Sequence, residues 1–319
     1  ISLAGFGRWS AGILDNGMAM TSKEEKLVEL RKVIDSVDSA IHKLIMRRTK
    51  VVEGVCGIKE GSAVKIRPSR EAAILYRLCA EHQGYFPKRE LCRIWRELIV
   101  ATLSFEGPFS AAVFHSEETP GYWDLARDQY GTFTPMQRHS SARAVVEEVR
   151  ELKATVGVLP FPSRDHDNPW WRFLVSDAPE TPKVIARLPF VPGANVHDKG
   201  LDALVICAVP QEETGRDRSL FSIESEEDIG YTAIERALSK VGFSDIFQHL
   251  WHEPNRPPGW TYLVEVDGFI GSSSERLALL QDELGARVAR IIQLGGYSTP
   301  LEEADLAHMN DDHEAREGK

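Results

Sequence analysis

The sequence predicts a multidomain fold in three parts: an all-α segment over residues 23–106, an α/β domain over 107–217 and an α+β module of ferredoxin-like order over 218–300. Three observations carry that division. A single apolar stripe of helical period runs from about residue 22 to residue 59, and two shorter helical stripes follow it. After Gly107-Pro108 the texture changes to short apolar runs of strand character. Charge changes at the same place, because residues 23–106 carry 17 Lys and Arg against 12 Asp and Glu, whereas residues 107–319 carry 20 against 35.

At 319 residues the chain exceeds a single small module. Its 42% hydrophobic and 27% charged residues belong to a soluble globular protein. No stretch approaches the ~18 uninterrupted apolar residues of a membrane span. Residues 1–22 lack a basic start and a separate apolar region, so they read as a disordered leader rather than a secretory signal. Cys56, Cys79, Cys92 and Cys207 form no Cys-x-x-Cys pair, which argues against zinc and disulfides and for a reducing cytoplasm. The mild excess of positive charge in the first segment suits a small anion and is too weak for a nucleic-acid surface.

The elements follow in order. Leu27, Leu30, Ile34, Val37, Ile41, Leu44, Val51 and Val55 alternate spacings of three and four, with Arg48 the one charged residue on the seam. At ~1.5 Å per residue this is a rod of over 50 Å, too long to bury its stripe on one small domain, so it should pair with another chain. A second helix opens at Pro68 and presents Ala72, Ile74, Leu75, Leu78 and Cys79 before Gly84. A third starts near Pro87, carries Leu91, Ile94, Trp95, Leu98, Ile99 and Thr102, and ends at Glu106. Strands are expected at 111–114, 155–159, 184–188 and 203–209, with helices at 123–130 and 141–152. The order β-α-β-β-α-β then follows over 219–294. Trp170-Trp171 reads as a packed loop anchor, Gly295-Gly296 as a turn after the last strand, and 301–319 as a disordered tail. The histidines lack metal-ligand spacing, so no metal is expected.

The charged residues of the seams point to chemistry. An unpaired arginine in an apolar seam is costly, so Arg48 should meet an anion, either a carboxylate side chain or a ligand. Lys59 lies about three turns on and faces the same way, Arg70 and Glu71 open the second helix, and Thr102 with Glu106 closes the third. Arg31 is 17 residues from Arg48, roughly 25 Å along the rod, so it reaches the same pocket only from an antiparallel partner helix.

Residues 30–35 with Asp38, Arg47-Arg48, Lys59 and Arg67-Pro68-Ser69-Arg70-Glu71-Ala72 resemble the all-helical class of chorismate mutases over about residues 23–106. The resemblance implies an intertwined homodimer that takes chorismate, with Arg31 donated in trans. It implies that Arg48 and Arg70 serve the substrate carboxylates, Glu71 receives the substrate hydroxyl, and Lys59 and a neutral Glu106 donate to the ether oxygen. Thr102 stands where a small hydroxylated residue is common. One departure is Arg67, at a position that is acidic in some relatives. No cofactor is implied, since the rearrangement to prephenate is intramolecular and needs only a compact conformer and donors at the ether oxygen.

The remainder resembles a shortened, periplasmic-binding-like prephenate dehydratase with its signatures lost. Thr155–Pro160 looks like the strand before Pro-Ile-Glu-Asn-Ser, yet continues Phe161-Pro162-Ser163. The Thr-Arg-Phe signature would fall near Leu201-Asp202-Ala203. His115-Ser116-Glu117-Glu118 replaces the Gly-Ser-rich substrate loop, so this domain is expected to be non-catalytic. Residues 218–300 resemble an ACT domain, with Glu253–Pro257 near the Glu-Ser-Arg-Pro segment, which implies an aromatic amino-acid effector; its Gly-Ala-Leu-Val segment is not recognisable at 228–231. The leading expectation is a cytoplasmic chorismate mutase without dehydratase activity. An isochorismate-pyruvate lyase on the same fold and a non-catalytic regulatory protein are the alternatives.

Overall fold

One helix, α1 (Lys23–Ile58, 36 residues), makes up what is described of the first of two units, which divide after Ile58. The structure is a computed structural model and describes residues 23–58, 66–103, 107–164, 169–193, 200–271 and 274–307. The expected leader, residues 1–22, and residues 308–319 of the expected tail lie outside the described residues. At ~1.5 Å per residue α1 is about 54 Å long. Glu24 and Glu25 in its first turn complement the helix dipole. Its apolar stripe stands in solvent, with Leu30 60%, Val37 52% and Leu44 62% exposed. Among the described residues no helix is long and apolar enough to cross a membrane.

The second unit begins with a helical hairpin, α2 (Pro68–Glu81) and α3 (Lys88–Leu103). Proline suits the first turn of α2, whose missing N–H would have no partner there. The chain then builds one nine-stranded mixed sheet: β1 (Ala111–Phe114), β2 (Met136–His139), β3 (Val156–Pro160), β4 (Lys183–Leu188), β5 (Ala203–Cys207), β6 (Asp217–Ser225), β7 (Asp245–His252), β8 (Trp260–Asp267) and β9 (Val288–Ser298). Their order in space is β2-β1-β3-β5-β4-β9-β6-β8-β7. The connecting helices are α4 (Tyr122–Tyr130), α5 (Ala142–Arg150), α6 (Tyr231–Lys240) and α7 (Glu275–Leu284), and α8 (Glu303–Leu306) closes the described chain.

The last four strands are antiparallel neighbours in the order β9-β6-β8-β7, which with α6 and α7 is the ferredoxin-like arrangement expected. The strand pattern implied two separate α/β and α+β domains. Instead β4 and β9 run parallel side by side and join them into one sheet, through the pair Val184–Gly295. Gly295 makes this junction possible: its φ is +112°, and a Cβ there would sit 2.2 Å from the Val184 carbonyl oxygen. The turn expected at Gly295-Gly296 is therefore corrected, since both glycines are strand residues where two backbones meet. β2 escaped notice because a half-exposed edge strand reading Met-Gln-Arg-His carries no apolar alternation.

The disorder expected from residue 301 is also corrected for residues 301–307. Leu301 and Leu306 are buried with Ala72, Leu75, Cys79, Cys92 and Phe190. Asp305 takes both Nη groups of Arg216, at 3.0 and 2.9 Å, which holds its carboxyl below the usual range. Trp170-Trp171 is the packed anchor expected: both are buried, Trp170 donating to the Pro160 carbonyl at 2.8 Å and Trp171 to His249 at 3.3 Å.

Candidate active site

The hairpin α2–α3 positions three of the expected site residues. α2 turns Ser69, Glu71, Ala72, Leu75 and Cys79 inward, a helical face of spacing three and four. α3 turns Cys92, Arg96, Ile99 and Thr102 inward. This differs from the expected stripe, in which Ile94 was a member; Ile94 is 45% exposed, and the face is shifted to admit Arg96. The two faces meet at two polar contacts. Cys79 and Cys92 place their sulfurs 3.3 Å apart, both as free thiols. Arg96 donates through Nη1 to Glu71 Oε2, with side chains only 7% and 8% exposed.

Glu71, expected to receive a substrate hydroxyl, is thus held by Arg96 at one oxygen. Its other oxygen, Oε1, accepts no hydrogen bond among the described residues. The charge is felt nearby, since burial first and the Glu71 carboxylate second push the Tyr130 hydroxyl well above its ordinary range. Arg70, the residue before Glu71 on α2, is exposed, with no carboxylate in ion-pair distance among the described residues. Thr102 is buried and donates back to the Ile99 carbonyl at 2.8 Å. Arg67 sits at the N-cap of α2, 3.8 Å from Glu212.

Arg31 and Arg48 stand on α1, 17 residues apart, hence about 25 Å along its axis. Arg31 has no carboxylate in ion-pair distance among the described residues. Lys59 and Glu106 lie outside the described residues. Sequence reasoning missed Arg96, and the signal that would have found it is the one that singled out Arg48: a guanidinium on a helix face that is otherwise buried. Its place four residues after Cys92 and three before Ile99 puts it on that face.

The chemistry available is anion binding and hydrogen-bond donation. Among the described residues, the thiol pair Cys79 and Cys92 is buried away from solvent. No group of three or more metal-ligating side chains exists among the described residues.

Comparison with known proteins identifies the family of the first segment. Residues 30–107 match the family described as chorismate mutase type II. The bifunctional chorismate mutase/prephenate dehydratase of Aquifex aeolicus (strain VF5) is 34% identical over 141 residues, which are 43% of this chain and 39% of that one. The chorismate mutase of Methanocaldococcus jannaschii is 42% identical over 62 residues, 18% of this chain and 63% of that one. The matched stretch therefore spans about two fifths of the bifunctional relative's length. A solved prephenate dehydratase in complex with L-Phe, from Arthrobacter aurescens, superposes at TM-score 0.44 and 11% identity over 65% of this chain and 98% of that one. Residues 30–107 thus carry a chorismate mutase type II domain, homologous to the one in bifunctional chorismate mutase/prephenate dehydratases.

Proposed function

We propose that the protein is a chorismate mutase that rearranges chorismate to prephenate for aromatic amino-acid synthesis, working as an intertwined homodimer in the cytoplasm. The observation that carries this reading is the family match over residues 30–107. The exposed stripe of α1 supports the dimer, because an apolar face of that length in water is strongly favoured to find a partner. Free thiols at Cys79, Cys92 and Cys207 support a reducing compartment.

In the reaction the ether C–O bond breaks as a C–C bond forms within one molecule, so no group is transferred to the protein. Arg48 and Arg70 of one chain and Arg31 of the other hold the carboxylates and compress the substrate into its reactive conformer. Lys59 and a neutral Glu106 donate to the ether oxygen as negative charge builds there. Glu71 receives the substrate hydroxyl at Oε1, with Arg96 as the positioning residue that keeps the carboxylate aimed. Thr102 lines the same pocket.

The α/β part is inferred not to dehydrate prephenate. Phe161-Pro162-Ser163 supplies no acid where the dehydratase signature has one, and Asp202, where a catalytic threonine would be expected nearby, is tied to Arg187 at 2.6 Å. An aromatic amino-acid effector at the ferredoxin-like module is a further part of this reading. Purified protein given chorismate, and separately isochorismate, tests the whole. Prephenate from chorismate supports the mutase, pyruvate from isochorismate would make it a lyase, and no turnover would make it a regulatory protein. Phenylpyruvate formed from prephenate above the acid-catalysed background would restore the dehydratase. Glu106→Gln should keep activity and abolish its fall with rising pH, since an amide donates at any pH.

A further inference from the structure

We propose that a cavity of about 580 Å³ between α5, the 3-10 turn Trp170–Leu174, the β7–β8 turn and β9 is a binding site for a small dianion bearing carboxylate or phosphate oxygens. Nothing in the mutase reading uses it. Five arginines from these four elements line it: Arg143 and Arg150 on α5, Arg172 on the 3-10 turn, Arg256 on the β7–β8 turn and Arg290 on β9.

Their counter-ions do not balance. Arg290 is answered by Glu224 and by Asp177 at 3.2 Å, and Arg143 by Glu147 at 2.8 Å. Arg172 has Glu253 at 3.8 Å, too long for a hydrogen bond. Arg150 gives one Nη to the Phe173 carbonyl at 3.2 Å and meets no carboxylate, and Arg256 meets none either, among the described residues. Two guanidiniums are therefore uncompensated. In addition, the Nε atoms of Arg150 and Arg172 are buried without any acceptor. A buried N–H on a cation with no partner is costly, and the five cations around this cavity outnumber the two carboxylates, Glu147 and Glu253, that line it with them. A ligand with two negative charges and several acceptor oxygens removes both costs at once.

The site is also shaped. Phe173 lies between two of the guanidiniums, with Arg143 at 5.9 Å and Arg172 at 5.0 Å from the ring centroid, and Arg172 also lies 4.9 Å from the Trp251 ring. These rings restrict the guanidinium planes before any ligand arrives. Trp251 supplies a signal, because moving Arg172 toward a ligand changes the environment of its indole.

The test titrates the full chain with inorganic phosphate and, in a second arm, with malonate, at constant ionic strength, following tryptophan fluorescence and calorimetric heat. Saturable 1:1 binding is expected, weakened about tenfold or more by Arg150→Gln and by Arg256→Gln, and unchanged by Arg77→Gln on α2. Arg256 is exposed on a turn, so its variant tests the site even if Arg150→Gln disturbs α5. Binding of phosphate alone would identify a phosphate-bearing ligand, and of malonate alone a dicarboxylate. No saturable binding of either probe, or binding indifferent to both variants, overturns the proposal.

Discussion

α1 and the hairpin α2–α3 belong to one matched domain and treat their apolar residues in opposite ways. α1 leaves Leu30, Val37 and Leu44 more than half exposed, whereas the hairpin buries Ala72, Leu75, Cys79 and Cys92 with Phe190 and Leu306. Each of the two elements also carries an arginine of interest, and again the outcome differs. Arg96 has found Glu71 inside its own unit, while Arg31 has no carboxylate in ion-pair distance among the described residues. Among the described residues, the hairpin buries its face within its own unit, whereas α1 keeps its stripe exposed. Stability should then be lost from the hairpin by local substitutions, and association and activity from α1 by changes to its stripe.

The largest effect should come from the stripe. Ile34→Lys with Ile41→Lys would bury two unpaired ammonium groups in a dimer seam, weakening association by about 3 kcal/mol or more, over a hundredfold in Kd, and taking chorismate turnover with it. Sedimentation equilibrium and the mutase assay check this, and a variant that remains dimeric and active would break the comparison. A sharper form mixes Arg31→Ala with Arg48→Ala chains: the heterodimer should regain one competent pocket, and a mixture as inactive as its parents refutes donation in trans.

Next comes the buried pair of the hairpin. Glu71→Ala strands Arg96 without a counter-ion, an expected loss of about 3–5 kcal/mol in urea unfolding, while Glu71→Leu with Arg96→Met should recover most of it. A single variant that unfolds like the parent would mean that the ion pair does not organise the hairpin.

A smaller loss, about 1 kcal/mol after allowing for partial exposure, is expected for Asp305→Asn, which releases α8 from Arg216. Because Arg216 holds the folded carboxyl below its ordinary value, this stability is present above the ordinary carboxylate range and is lost as pH falls through the depressed value. The difference between parent and variant should therefore be full at neutral pH and vanish in acid.

Glu265 behaves in the opposite sense and gives the smallest effect. Burial raises its folded carboxyl, against the hydrogen bond from Tyr297 and the charge of Arg187. A raised carboxyl loses stability as pH climbs from the ordinary range near ~4.3 through the raised value. Glu265→Gln should flatten stability over that window, by under about 1 kcal/mol, and an unchanged slope would show that Glu265 is not its source.

Much of this molecule was legible before any coordinates. Local periodicity marked α1 to α7 and every strand but β2, because burial of one face imposes a repeat that adjacent residues record. The same logic singled out Arg48, Arg70 and Glu71. It failed where neighbours far along the chain set the outcome: Arg96 looks like any solvated helix arginine until Glu71 is placed against it, and the Cys79–Cys92 contact has no motif.

What the sequence by itself determined is the kind of most elements, the family of residues 30–107 and the cations at its heart, since these depend on short-range pattern. The tertiary structure alone decided that two strand-rich parts share one sheet at Gly295, that residues 301–307 are ordered, and that five arginines from four elements face one cavity. Each of those depends on backbones or charges separated by tens to over a hundred residues, and a periodicity only a few residues long carries no record of which distant partner will close the contact.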